Sequence, residues 1–484
     1  MANAVLIVVM CLAAYAAAYF FYSRFLSSRV ISLEAGFRTP AHELRDGIDY
    51  VPTNRYVLFG HHFASIAGLM PILGPAVAMV WGWVPALLWV VFGTIFIGAV
   101  HDYTTLVLST RNKGQTIGTL TGNIIGPRAR ILFLFIILFF LALAMGIFVL
   151  VISKILVLRT GMTGPDSLGH PLGAKAVFPS GFLIVLALIS GFLIYRKRAP
   201  ITPITIGAVL LSLGAIGVGS VLPIEIAVGK LQIGLLMYAL IASVLPVWVL
   251  LQPRDYLNSF QLYLAVVLVY AGLFLTNPTI QHDPVRWFPA HADFMIPFLF
   301  ITVACGAVSG FHNLVASGTT ARQLNSPGDA RFIGYGGMLA EGILSVVVIM
   351  ACAYAIPRYA DLQSAFVDYE KANSLVQGKL EAFLVGSADF LSALGIPNEY
   401  GRILMAVVVL SFGLTTLDSG TRLLRYNVEA IGEVLRIKAL GNRYLASLVA
   451  VLAIGYFAFT EIGGEPAGIS LLQLFGTTNQ LLAG

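Results

Sequence analysis

The sequence contains few charged residues and only three cysteines. Asp, Glu, Lys and Arg make up 11% of its 484 residues, whereas hydrophobic residues make up 58%. A soluble chain needs roughly 25% charged residues to cover its surface, so the composition excludes an ordinary soluble protein and predicts a polytopic membrane protein. Cys11, Cys305 and Cys352 all lie in apolar runs, which indicates small core residues and not a disulfide framework or a zinc site.

The first apolar run, residues 4–22, has no basic residue before it. It is longer than the apolar part of a cleaved signal peptide, and Arg24 follows it, so we interpret it as a membrane span. The net charge of +6 falls in short loops, and no nucleic-acid-binding motif accompanies it. We therefore expect the lipid bilayer, and no nucleic acid, as the environment of this chain.

Thirteen stretches approach the roughly 20 apolar residues that a spanning helix needs. They predict an all-α polytopic fold that forms a single transmembrane domain over 1–484. The last stretch is too short to span, so it is either re-entrant or part of a helix that the chain does not complete. Segment 361–392 is amphipathic and charged, and we expect it to lie on the membrane surface. The predicted spans are 4–22, 56–81, 84–108, 131–157, 179–195, 201–222, 232–251, 257–276, 294–317, 334–357, 402–418, 443–460 and 469–484.

Lys and Arg are concentrated in alternate loops between these spans. If the N-terminus lies outside, 20 of the 29 Lys and Arg residues fall in inner loops, which is the bias that the positive-inside rule describes. In this arrangement Arg254 lies in a weakly basic inner loop, and Arg422 and Arg425 lie in the last inner loop. The charge pattern therefore predicts an outer N-terminus.

Glycine, proline and histidine interrupt two of the predicted spans. Span 56–81 contains FGHHFASIAGLMPILGP, and span 294–317 runs into CGAVSGFHNLVASGTT. A helix broken at membrane depth persists only where the loosened backbone lines a cavity or is buried in protein. Two broken spans in corresponding halves indicate a transporter site, and two glycine-kinked packing helices are the alternative interpretation.

Few ionisable residues fall within the predicted spans, and each is a candidate functional group because a charge at mid-bilayer costs several kcal/mol. Histidine suits a proton carrier because its unperturbed pKa is near 6.5. A bound metal is left open, although adjacent histidines on a helix point about 100° apart. For His101 and Asp102 the alternative is a paired helix end near the headgroups, and Lys154 is expected to snorkel. The candidates are His61, His62, His101, Asp102, Lys154, His312 and Asp418, with Glu341 at the margin.

Several motifs together resemble the carbon starvation protein A (CstA) family, and the resemblance covers nearly the whole chain. It implies a bacterial or archaeal inner-membrane transporter, linked to peptide uptake or to proton-coupled pyruvate import. It also implies a LeuT-like fold, in which two inverted repeats of five spans each begin with a broken helix. Family members usually continue beyond FGTTNQLLAG, which implies a longer native chain. The motifs are FGHHFASIAG, GPAVAMVWGWVPALLW, GAVHDY (98–103), LPVWVLLQPRDYLNSF (245–260), SGFHNLVASGTTARQL (309–324) and TTLDSGTRLLRYNVEAI (415–431).

The resemblance implies how the spans are organised. Span 4–22 is extra, 56–222 forms the first repeat, 232–276 is an extra hairpin, and 294–484 forms a second repeat with its last helix cut short. Span 402–418 would be the eighth helix of the fold. In LeuT-like transporters, paired hydroxyls of that helix face carbonyls of the broken first helix at a sodium-type site.

By the same resemblance, hydroxyls and a carboxylate of 415–418 face the backbone of 64–68 and couple transport to Na⁺ or to a proton. Hydroxyls that cap their own helix are the alternative. No other cofactor is expected. The candidate ion-coupling residues are Ala64, Gly68, Thr415, Thr416, Asp418 and His62.

An anionic substrate needs positive potential, which free N–H groups at the N-terminus of a half-helix provide. We expect such half-helices to begin near Gly74-Pro75 and near Gly310. Neighbouring polar side chains would add hydrogen-bond donors. The candidate substrate-binding residues are Ser309, Gly310, His312, Asn313 and Gly74.

The predicted function is a secondary active transporter that imports pyruvate, another small carboxylate or peptides by ion-coupled alternating access. A membrane-embedded nutrient sensor that binds the same ligand without moving it is the alternative. No enzymatic activity is expected, because no nucleophile–base or metal motif stands out. The substrate, the coupling ion and the oligomeric state stay open at the level of sequence.

Overall fold

The chain is mostly helical in the computed structural model, which describes residues 2–31, 33–34, 36–157, 172–291, 294–369, 372 and 376–484. Two short antiparallel strand pairs join loops, β1 (Ala2–Asn3) with β2 (Thr279–Ile280) and β3 (Glu461–Ile462) with β4 (Glu465–Pro466). The helices are α1 (Ala4–Val30), α2 (Pro40–Glu43), α3 (Arg55–Ile66), α4 (Met70–Trp81), α5 (Trp83–Arg111), α6 (Ile117–Ile124), α7 (Pro127–Leu156), α8 (Leu172–Arg196), α9 (Ile201–Val221), α10 (Val228–Val244), α11 (Leu251–Thr276), α12 (Met295–Thr302), α13 (310–320), α14 (Pro327–Arg358), α15 (Ala360–Ala365), α16 (Val376–Ala393), α17 (Asn398–Val434), α18 (Arg443–Phe459), α19 (Ala467–Ser470) and α20 (Leu472–Ala483).

Long apolar helices dominate the described part of the chain. Eight of them are long and apolar enough to cross a membrane, and the bent pair of α3 and α4 makes a ninth if it forms one span. Helices α10 and α18 are apolar but have only 17 residues each. The predicted spans 294–317 and 469–484 are short helix pairs, α12 with α13 and α19 with α20. The chain is therefore an all-α multi-pass membrane protein, whereas the number of thirteen spans stays a prediction.

The predicted surface segment 361–392 contains a helix that lies inside the fold. Helix α16 packs against α4, α11, α14 and α17. Its residues Phe383 and Phe390 are buried, and Gly386 allows the backbone of α14 to approach closely. The expectation of a surface helix is therefore wrong for α16, because helices on several sides bury it.

Three arginines that were assigned to inner loops lie within helices. Arg254 belongs to α11, and Arg422 and Arg425 belong to α17, which continues 16 residues beyond its predicted end at 418. All three side chains are buried because acidic partners face them. Without these three, 17 of the 29 Lys and Arg residues remain in the predicted inner loops, so the charge bias persists.

Loop contacts define two opposite faces. On one, which we call the N-terminal face, β1 pairs with β2, and the amide of Trp83 donates to the carbonyl of Asp283. Ala290 and Asp368 form an isolated parallel β-bridge on the same face. On the other, which we call the distal face, Thr53 and Leu324 form an isolated parallel β-bridge. Helices α1 and α3–α4 run from one face to the other, as the predicted alternation requires.

Candidate functional site

The first broken helix is interrupted at 67–69. Helix α3 ends at Ile66, α4 begins at Met70, and the two axes differ by 45°. The prediction that a half-helix begins near Gly74-Pro75 is therefore wrong. Gly74 lies inside α4, where a β-carbon would come within 2.5 Å of the Thr302 carbonyl oxygen of α12.

Two prolines fit into α4 for different reasons. Pro71 lies in the first turn, where a backbone N–H would have no partner within the helix. Pro75 cannot donate to the carbonyl of Pro71 four residues earlier. The hydroxyl of Ser345 in α14 donates to that carbonyl instead, at 3.3 Å. This contact lets the helix continue through Pro75.

The second broken helix is interrupted at 303–309, and α13 begins at Gly310 as predicted. Its first turn does not present all its donors to an open space. The Phe311 N–H donates to Asn479 Oδ1 of α20 at 3.0 Å, and Asn479 Nδ2 donates to the Ser309 hydroxyl at 3.1 Å. Asn313 Nδ2 donates to the Leu482 carbonyl at 3.1 Å. The predicted residues are close together, but α20 takes up their hydrogen bonds.

A cavity of about 90 Å³ lies between the two broken helices. Helix α4 lines it with Met70 and Gly74, the second broken helix with Thr302 and Cys305, and α20 with Gln473. Most of the remaining lining is aliphatic or aromatic. Of the five predicted substrate-binding residues, Gly74 contributes to this lining, whereas Ser309, Gly310, His312 and Asn313 do not.

Four ionisable residues from three helices form what we call the histidine–acid cluster: His101, Asp102, His312 and Glu341. Asp102 of α5 lies between two imidazoles, with His101 Nδ1 and His312 Nδ1 each 3.1 Å from one of its oxygens. His312 Nε2 lies 3.3 Å from Glu341 Oε2 of α14. Asp102 therefore faces the interior of the fold. It contacts His312 as well as His101, so it is not only one half of a paired helix end near the headgroups.

His62 lies next to this cluster, and His61 points to a different one. His62 Nδ1 is 2.9 Å from the Thr320 hydroxyl, and the ring is close enough to Asp102 and His312 to interact with them electrostatically. His61 Nδ1 is 2.6 Å from Asp255 Oδ2 of α11. The two adjacent histidines thus contact separate groups, as their helical spacing predicts.

A second buried group, which we call the arginine–acid cluster, consists of His61, Asp255, Arg254, Asp418 and Tyr238. The Arg254 guanidinium donates to the Asp418 carboxylate and to the Tyr238 hydroxyl, and that hydroxyl is 2.8 Å from Asp418 Oδ2. Arg254 Nη2 also lies 3.4 Å from Asp255. Sequence reasoning missed Arg254 and Asp255 as site residues, although the QPRD motif within an apolar stretch was a usable signal.

The helices α3 and α17 meet through hydroxyl groups. Thr416 Oγ1 donates to the Ser65 carbonyl at 3.3 Å, and the hydroxyls of Ser65 and Ser419 are 2.9 Å apart. Gly68 lies against Thr416, and Ala64 is buried in α3. Part of the predicted contact with the 64–68 backbone is therefore present.

The other two predicted members of that contact point elsewhere. Thr415 accepts from Asn258 Nδ2 at 2.8 Å and donates to the Ser411 carbonyl of its own helix at 3.0 Å. Asp418 faces Arg254. The expectation that Thr415 and Asp418 lie opposite the 64–68 backbone is wrong, because side chains of α11 and α10 bind them.

Within the described residues, no group of three or more His, Cys, Asp and Glu side chains has an arrangement that could hold a metal ion. His61 and His312 contact carboxylates, His62 contacts a hydroxyl, and the buried His282 contacts the Met79 carbonyl.

An ionic contact at the distal face fixes the loop before α3. Arg422 Nη1 is 2.9 Å from Asp49 Oδ1, and Arg425 Nη2 is 3.3 Å from Asp49 Oδ2. Burial alone would raise the pKa of the Asp49 carboxyl, but Arg425 and Arg422 together hold this pKa below its ordinary value. The loop is therefore tied to α17 by a charged carboxylate.

Two interrupted helices, a cavity between them and ionisable groups at membrane depth define the class, a polytopic membrane protein with a polar centre. The chain belongs to the carbon starvation protein CstA family, whose family model matches residues 3–376 and 360–484. The resemblance seen in the motifs is thereby confirmed.

Three relatives illustrate the similarity. The chain is 32% identical to peptide transporter CstA of Escherichia coli (strain K12), covering 100% of this chain and 75% of the relative. It is 32% identical to peptide transporter CstA of Bacillus subtilis (strain 168), covering 99% and 83%. It is 34% identical to the pyruvate/proton symporter BtsT of Escherichia coli (strain K12), over 73% of this chain and 50% of that protein.

Proposed function

We propose that this chain is a secondary active transporter that imports a small carboxylate such as pyruvate, or short peptides, by ion-coupled alternating access. The observation that carries the proposal is the cavity bordered by both broken helices. The loosened backbone of helices that are broken at membrane depth can line a substrate cavity, and rocking of the surrounding helices can expose such a cavity to either side. The names of the relatives, peptide transporter and pyruvate/proton symporter, support transport over enzymatic catalysis.

The proposal includes the orientation and the repeat organisation. The first broken helix starts at the distal face and the second starts near the N-terminal face, which supports an inverted relation between 56–222 and 294–484 and a LeuT-like fold. The basic loops at the distal face support a cytoplasmic location for it and an inner-membrane protein with its N-terminus outside. Span 4–22 and hairpin 232–276 are then additions to the two repeats.

Two sets of groups are candidates for ion coupling in this proposal. Thr416, Ser65 and Ser419 offer neutral oxygens of the kind that bind Na⁺, and the histidine–acid cluster offers groups that bind protons. The word proton in the name of one relative favours the second set. His62 joins that set through its proximity to Asp102.

Uptake into proteoliposomes tests the proposal. The purified full chain is reconstituted, and labelled pyruvate and a labelled dipeptide are supplied separately under an imposed proton gradient or an imposed sodium gradient. Concentrative uptake of one substrate, absent from protein-free vesicles, is the expected result. Binding without accumulation and without counterflow would reject transport and favour a membrane-embedded nutrient sensor.

A further inference from the structure

Glu341 differs from every other carboxyl group described above. It lies in α14 and is 0% exposed, and within the described chain neither of its oxygens has a hydrogen-bond donor of good geometry. Asp418, by comparison, accepts from Arg254 and Tyr238. A buried carboxylate without a donor or a cation costs much free energy, so a group in this position is stable as the neutral acid.

The nearest proton acceptor is the imidazole of His312. Its Nε2 is 3.3 Å from Glu341 Oε2, and its Nδ1 is 3.1 Å from Asp102 Oδ2. With Nδ1–H donated to the Asp102 carboxylate, Nε2 is free to accept a proton. Asp102 thereby fixes the tautomer in which His312 can take the proton of Glu341.

We propose that Glu341 binds the coupling proton and exchanges it with His312, while Asp102 acts as the positioning residue. In this step the O–H bond of Glu341 breaks and the N–H bond at His312 Nε2 forms, so Glu341 becomes a carboxylate and His312 an imidazolium. The net charge of the cluster does not change. The proposal rests on the proposed function and names the ion and the groups that carry it.

The surroundings of Glu341 place this proton where both broken helices can respond to it. Ser345 lies one turn further along α14, on the same face, and donates to the Pro71 carbonyl of α4. Glu341 contacts His312 of α13. One face of α14 therefore touches both broken helices, and transfer of the proton from Glu341 to His312 creates an ion pair at one of these contacts.

The link to the cavity runs through the segment 303–309. Cys305 lines the cavity and is close enough to Glu341 to interact with it electrostatically. The other ionisable groups that face the exchange are His101, Asp102 and His62, which come from α5 and α3. An anionic substrate in the cavity would favour the protonated state of this cluster, and this is the energetic basis of symport.

Two measurements test the proposal, and the first does not depend on the substrate. Infrared difference spectroscopy of the reconstituted full chain should show the carbonyl stretch of a buried, protonated carboxylic acid that shifts slowly in D₂O. Glu341→Gln should remove this band, and Glu433→Gln, at a side chain that is 73% exposed, should leave it unchanged. A band that persists in Glu341→Gln overturns the proposal, and so does the absence of any such band in the unaltered protein.

The second measurement separates coupling from movement of substrate. An inward gradient of about one pH unit can drive about tenfold accumulation with one proton per substrate, since a tenfold ratio corresponds to about 1.4 kcal/mol. Glu341→Gln should lose this accumulation, while counterflow of pyruvate remains detectable because Gln mimics the protonated acid. Unchanged accumulation in Glu341→Gln overturns the proposal. Absence of counterflow in the unaltered protein, with either pyruvate or a dipeptide, rejects the proposed function, and the infrared band then still decides the proton site.

A second variant serves if Glu341→Gln does not fold. In His312→Gln the acid loses its partner, so the carbonyl band should remain but change its frequency. An unchanged band in His312→Gln would show that Glu341 does not interact with His312, and would contradict the proposal.

Discussion

The guanidinium of Arg254 and the carboxylate of Asp418 form an ion pair in which each side chain is only 1% exposed. Arg254 comes from α11 and Asp418 from α17, and the Tyr238 hydroxyl of α10 contacts both. Neither charge could remain at this depth alone. The ion pair therefore links three helices. Its carboxylate, Asp418, is the group that the sequence suggested as a proton carrier, and here it is bound by Arg254.

We predict that Asp418→Asn destabilises the protein, because it leaves the buried Arg254 charge without its partner. Breaking a buried pair by removing one member costs about 3–5 kcal/mol. Thermal unfolding in detergent, followed by size-exclusion fluorescence, measures the loss. The double variant Arg254→Met/Asp418→Leu, which removes both charges, should recover much of it. A fully stable Asp418→Asn variant that loses only proton-driven accumulation would contradict this view and restore Asp418 as the proton carrier.

Gly310→Ala should weaken the packing of α20 on α13. A β-carbon at position 310 would lie 2.6 Å from the Asn479 carbonyl oxygen, so the two helices would have to separate. Overpacking of this kind costs about 1–3 kcal/mol. The matched control is Gly214→Ala in α9, because a β-carbon there meets no atom within 4 Å. Thermal midpoints that fall equally in both variants would refute the packing argument.

The Asp49 contact should give the distal face a pH-dependent stability. Since the pKa of Asp49 is lowered in the folded protein, its contribution is present above the unfolded value of about 3.9 and is lost as the pH falls through the lower folded value. Asp49→Asn should therefore unfold at a lower temperature than the unaltered protein at pH 7. This difference should disappear at strongly acidic pH. Glu461→Gln, at an exposed residue, is the control and should show no such difference at either pH.

The two faces of the protein can be distinguished by labelling single cysteines. Ser28 is exposed near the distal end of α1, and Ser364 is exposed in α15, close to the N-terminal face. In whole cells, a membrane-impermeant thiol reagent should label Ser364→Cys and spare Ser28→Cys. The three native cysteines are buried and should give little background. Labelling of both variants from outside would disprove the assignment of the faces.

Long apolar helices and the existence of two breaks could be predicted from the sequence, because composition and glycine content are local properties. Pairings between distant residues could not. Arg254 was assigned to a loop because a charge in an apolar stretch is normally interfacial, and its partner Asp418 is 164 residues away. The break at 67–69 was misplaced for a similar reason, since the Ser345 hydroxyl that supports α4 through Pro75 belongs to another helix.

The site residues show the same division. His312 and Asp102 were recognised as ionisable groups at membrane depth, but their contact joins residues 210 positions apart. Glu341 was only a marginal candidate, because the sequence of an apolar helix does not show whether a glutamate in it has a partner in another helix. The direction of the Thr415 side chain depended on Asn258, which lies in a different helix.

The strand pair β1–β2 affects the order in which the chain can assemble during synthesis. The Asn3 amide donates to Asn277, 274 residues further along the chain, and Ala4 donates its N–H to the carbonyl of Pro278. When α1 leaves the ribosome, the residues that will hold its N-terminal end have not been made. Only 33% of its apolar window is buried by the rest of the protein. Helix α1 must therefore remain exposed to lipid at first, and we expect it to pack against the rest of the protein only after α11 has been inserted.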